Sequence, residues 1–180
     1  MVSVVVGIAL GLAARLVDDV APRWVGNVGA VWFLAGFLVG RRQRSLRKGA
    51  TAGALCLLTA TLAYYAWRIG IDQTISLRYL TRVGLFWLVT AVVVGVISGI
   101  AGAKSHRWSL AWGVAIGVLV GEAVAAALLA QRWEQVALEA AGGVGLFFYS
   151  KRPLAKIFSS TVATATLVAI GATIYRVLLR

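Results

Sequence analysis

A chain of 180 residues that is 61% hydrophobic and 13% charged is too apolar for a soluble domain, which is nearer half apolar and a quarter charged. With a mean hydropathy of +0.88 and no room for a large soluble part, it reads as one all-α, polytopic transmembrane domain over 1–180, of about seven helices. The net charge of +12 does not point to nucleic acid, because the basic residues fall in short clusters between apolar runs, the pattern of loops facing anionic membrane lipid.

The first apolar segment is about Val2–Val17. It lacks a basic leader region, so it reads as a membrane helix rather than a cleaved signal. It runs into Arg15-Leu-Val-Asp-Asp-Val-Ala-Pro-Arg-Trp24, where Arg15, Asp18 and Asp19 stand at i, i+3 and i+4 and so share a helix face. They mark either the water edge of this helix or one wall of a polar site.

The second segment, about Trp24–Gly40, ends in Arg41-Arg-Gln-Arg-Ser-Leu-Arg-Lys48. The third is about Ala50–Trp67. The fourth, about Tyr79–Ala103, ends at Lys104-Ser-His-Arg107. The fifth is about Trp108–Ala130. The sixth, about Val136–Tyr149, is short for a span, and Gly142, Gly143 and Gly145 leave room for a discontinuous helix. It ends at Lys151-Arg-Pro-Leu-Ala-Lys156, and the seventh is about Ile157–Leu179.

The loops after the second, fourth and sixth segments carry arginines and lysines and no acid. The positive-inside rule makes them cytoplasmic, with the N-terminus inside, in a bacterial inner membrane. Glycines four apart (Gly7 and Gly11, Gly36 and Gly40, Gly95 and Gly99, and Gly113, Gly117 and Gly121) predict close helix packing. Cys56 and His106 are each the sole residue of their kind, so no disulfide framework, metal site or cofactor is expected. No phosphate-binding or hydrolase motif is present.

Under this orientation all six acids, Asp18, Asp19, Asp72, Glu122, Glu134 and Glu139, belong to the outer half. Glu122 lies 14 residues past Trp108, roughly 20 Å along a helix. An unpaired charge at that depth is costly, so Glu122 is expected to be neutral or paired, with Arg15, Arg68 or Arg82 as partners. The reading is open between a helix–helix tie and a functional carboxyl. Trp24, Tyr64, Tyr65, Trp67, Phe86, Trp87 and Trp133 fall in the same half, and Asn27 and Trp32 lie within the second segment. They form an interfacial belt or the wall of a substrate site. Acids with aromatic faces in an apolar hollow suit protonation of an alkene or epoxide and cation–π stabilisation of the carbocation.

The stretch Gly11-Leu-Ala-Ala-Arg-Leu-Val-Asp-Asp19 with Pro22-Arg-Trp-Val-Gly-Asn-Val-Gly-Ala-Val-Trp-Phe33 resembles a family of small bacterial membrane proteins. In size, helix number and membrane acids the chain is also similar to small integral-membrane terpene cyclases. These include the bacterial enzymes that form drimane skeletons on farnesylated indole-diketopiperazines, and fungal seven-helix cyclases. The sequence has neither Asp-x-Asp-Asp nor Asp-Asp-x-x-Asp, so ionisation of a prenyl diphosphate is not expected. The resemblance implies acid-initiated cyclisation of a lipophilic prenylated substrate. Glu122 is then the first choice of proton donor and Asp18 and Asp19 the second. Glu139 orients the donor or takes the final proton. Arg15, Trp24, Asn27, Trp32, Tyr64, Tyr65, Trp67, Arg68, Phe86 and Trp87 line the substrate. The alternatives are a small-solute transporter or substrate-binding membrane subunit, and a non-catalytic membrane partner.

Overall fold

The computed structural model describes residues 1–22, 28–130 and 132–178. Every regular element described is helical: α1 Val2–Val20, α2 Gly29–Arg41, α3 Leu46–Gly70, α4 Leu85–Lys104, α5 Ser109–Ala125, α6 Trp133–Ser150 and α7 Leu154–Leu178. A short turn, Leu77–Tyr79, and a π-helical stretch, Leu80–Gly84, lead into α4. A second π stretch, Ala126–Ala130, continues α5. Among the described residues, four helices are long and apolar enough to cross a membrane: Leu46–Gly70, Leu85–Lys104, Ser109–Leu129 and Leu154–Ile174. The α2 helix is apolar but shorter.

Both prolines sit at helix borders. Ala21, before Pro22, is extended at φ −123° and ψ 163°. A residue before proline is driven out of the helical region, so α1 stops there. After α6, Lys151 takes a left-handed conformation at φ 53°, and α7 starts at the residue following Pro153, which cannot donate a helical hydrogen bond. The sixth segment is one unbroken helix from Trp133 to Ser150. The room that Gly142, Gly143 and Gly145 leave for a discontinuous helix is not used. Glycine permits a break without forcing one, and Gly142 and Gly143 pack against Leu119 of α5.

The chain divides into two compact units, Met1–Ala103 and Lys104–Arg180. In the first, α1 lies on α3 because Gly7 and Gly11 bring their backbones against Cys56 and Ala60. The backbone of Gly99 on α4 is wedged between two helices. A Cβ there meets the Gly49 carbonyl and comes 3.1 Å from the Gly53 Cα on α3, and the Cβ position of Gly40 on α2 falls on Gly99 itself. Without side chains at these points, van der Waals contact runs backbone to backbone. Around this seam Val39, Ala52, Cys56, Leu57 and Ala91 form the apolar core, with Trp32 packed against it.

In the second unit α5 is the middle helix. Gly113, Gly117 and Gly121 seat it on Ser160, Thr161, Thr164 and Ala165 of α7. Trp112 is buried, and its indole N–H donates to the Ser105 carbonyl at 3.1 Å. The basic turn after α6 reaches the one before α5, where Arg152 donates to the His106 carbonyl at 3.0 Å.

Candidate functional site

Each unit gathers its own acids. In the first unit the C-terminal ends of α1 and α3 stand side by side and carry a polar cluster. Arg15 is 9% exposed. Its guanidinium donates to Asp19, one turn on, and to Asp72, in the loop after α3. The Trp67 indole N–H donates to the other Asp72 oxygen at 3.0 Å. Beside this, the Tyr64 hydroxyl donates to Asp18 at 2.7 Å and accepts from Arg68 at 2.9 Å. Arg68 also donates to Thr74 at 3.3 Å, and Tyr65 meets Tyr64 edge-on with centroids 5.5 Å apart. The second Asp18 oxygen is buried and accepts no hydrogen bond.

The shared face of Arg15 and Asp19 is therefore real, while Asp18 turns to a tyrosine. Asp72 was not assigned a role by its loop position. Only the parallel packing of α1 and α3, set by Gly7 and Gly11, brings it to Arg15. Arg15 is engaged by Asp19 and Asp72, and Arg68 by Tyr64 and Thr74. The side chain of Arg82 lies outside those described.

The Arg15 guanidinium holds the Asp72 carboxyl below the usual carboxylate range, against a desolvation effect that pushes it up; the Trp67 N–H and the Arg68 charge add to the lowering. A lowered value in the fold means that Asp72 stabilises the fold fully above the ordinary carboxylate range. That stabilisation is lost as pH falls through the lowered value. Thermal unfolding in detergent is thus expected to shift down between neutral pH and about pH 3. In Arg15→Leu the melting temperature is expected to be lower at neutral pH and less sensitive to acid. An acid shift equal to that of the unmodified protein would show that Asp72 does not depend on Arg15.

In the second unit Glu139 is 1% exposed, and Glu122 is half-buried. Of the two carboxyls, Glu139 is the more buried from solvent. The α6 helix starts at Trp133, so Glu139 is nearly two turns in, on the side packed against α5. The Gln135 amide donates to Glu139 Oε1 at 2.8 Å. Glu139 Oε2 is buried and accepts no hydrogen bond. Glu122, reaching across from α5, is close enough to act on the Glu139 carboxyl. Gln135 carried no signal in the sequence reading, although its i, i+4 spacing to Glu139 was there to be used.

Phe86 and Trp87 lie on the exposed side of α4 and meet each other edge-on at 5.4 Å. Trp32 belongs to the apolar core of its unit rather than to the polar cluster. Trp24 and Asn27 fall outside the described residues. Among the described residues no three His, Cys, Asp or Glu side chains gather as a metal site.

No curated protein and no solved structure matches the chain. A family model matches residues 1–180 throughout. The chain therefore belongs to the family of unknown function DUF6518.

Proposed function

We propose that the protein is a multi-pass enzyme of the bacterial inner membrane, N-terminus inside, that cyclises a lipophilic prenylated substrate of farnesyl type by acid initiation. The observation that carries this reading is Glu139, a carboxyl 1% exposed among apolar helices with one oxygen that accepts no hydrogen bond. Among the described residues no basic group acts on it; a buried acid so placed can keep its proton, and a general acid needs one to give. In the proposed step the Glu139 O–H bond breaks, and the alkene π pair takes the proton to form a C–H bond. The resulting carbocation closes the ring. A neighbouring C–H then gives its proton to the Glu122 carboxylate and leaves an alkene. Substrate and product are isomers, so no co-reactant is consumed. Basic loops at one end of the second unit, joined by Arg152 and His106, support the orientation.

The test is cyclisation of a farnesylated substrate by membranes carrying Glu139→Gln, Glu122→Gln or Asp18→Asn. Loss of product with Glu139→Gln supports the reading. Undiminished turnover in all three removes it.

A second reading, a small-solute transporter or binding subunit, draws on the buried Asp18 oxygen that accepts no hydrogen bond beside Tyr64. Such an atom suits a solute with an N–H or O–H donor. Proteoliposome uptake of an amine that is abolished by Asp18→Asn, with no cyclase activity, would favour it.

A further inference from the structure

We propose that Glu122 and Glu139 form a dyad holding a single proton between them, and that Gln135 fixes which Glu139 oxygen carries it. Three observations meet here. Glu139 is all but sealed from solvent. Its Oε1 is occupied by the Gln135 amide at 2.8 Å. Its Oε2 is buried and has no hydrogen-bond partner, while the carboxyl that acts on this side chain across the α5–α6 packing is Glu122. Among the described residues, Gln135 and Glu122 are polar groups that act on Glu139.

Two ionised carboxylates in such a place repel, and water is too scarce to screen them. One proton converts that repulsion into a charge-assisted O–H···O bond. The amide of Gln135 is a donor, so it claims Oε1 as an acceptor. The proton is left to Oε2, the oxygen with no other partner. The pair then titrates as a unit rather than as two separate acids.

Under the proposed function, on which this consequence rests, the dyad resets itself. Glu139 gives up its proton and Glu122 collects the one released by the product. Transfer from Glu122 to Glu139 restores the starting state without drawing a proton through the membrane. Gln135 acts here as a positioning residue.

The experiment is infrared titration of the full-length protein in lipid nanodiscs. The wild type is expected to show one protonated-carboxyl C=O band at neutral pH. The band is expected to vanish in Glu139→Gln. It is also expected to vanish in Glu122→Gln, because the new amide donates to Oε2 and satisfies an ionised Glu139. Glu122→Asp is expected to keep the band, which separates loss of the dyad from loss of the fold. Gln135→Leu is expected to keep it at a shifted frequency. No band in the wild type, or a band that survives Glu139→Gln or Glu122→Gln, overturns the dyad. The readout is independent of turnover: absent cyclisation counts against the proposed reaction, and an absent band counts against the dyad.

Discussion

Glu139→Gln is expected to lower cyclisation turnover by about 10²- to 10⁴-fold, the usual contribution of a positioned general acid. Glutamine matches glutamate in size, so the packing of α6 on α5 is retained. Its carbonyl oxygen still accepts from Gln135, which now donates to Glu139 at 2.8 Å. What disappears is the transferable proton. Product formed per unit of protein in matched membranes is the measurement. Glu139→Asp keeps the proton but withdraws it by one methylene, so it is expected to fall between the wild type and the glutamine variant. Wild-type turnover by Glu139→Gln would pass the donor role to another acid of the same panel.

Gly99→Ala is expected to cost about 1–3 kcal/mol, the range for overpacking a tight interior. Gly99→Leu is expected to leave no folded protein, since a domain has only about 5–15 kcal/mol to lose. A methyl at position 99 meets backbone rather than flexible side chain: the Gly49 carbonyl and the Gly53 Cα on α3, with α2 approaching through Gly40. Backbone cannot swing aside as a side-chain tip does. The helices must separate, and the α2–α3–α4 seam opens with them. Thermal unfolding in detergent and the yield of monodisperse protein measure this. A Gly99→Leu protein that melts like the wild type would mean that the seam adds nothing to stability.

The helices were legible because apolar runs of membrane length leave few alternatives. Each of the seven segments has its helix, with ends displaced by a few residues. The fourth segment starts late, because Leu80–Gly84 winds as a π stretch before α4. Glycine spacing also told where helices approach closely. It did not tell which helices pair, because any small-residue stripe fits any other. That gap hid the Arg15–Asp72 pair, whose members are 57 positions apart. It also hid Glu122 and Glu139 as neighbours. Depth along a helix can be counted from its end, but which face turns inward is decided by the helices that pack against it. Glu139 turns inward because it shares a face of α6 with Gly143, one turn on, which lies against Leu119 of α5.

The glycines of this chain are not of one kind, and that bears on any effort to toughen the protein. A Cβ at Gly145 on α6 or Gly171 on α7 meets nothing within 4 Å. These positions forgo helix propensity without gaining an approach in return. Alanine there is expected to add about 0.5–1 kcal/mol each, visible as a later melt. An alanine scan applied blindly to every helical glycine would weaken the protein at one position and strengthen it at the next. The outcome is decided by whether a neighbouring backbone already occupies the space that a methyl group would need.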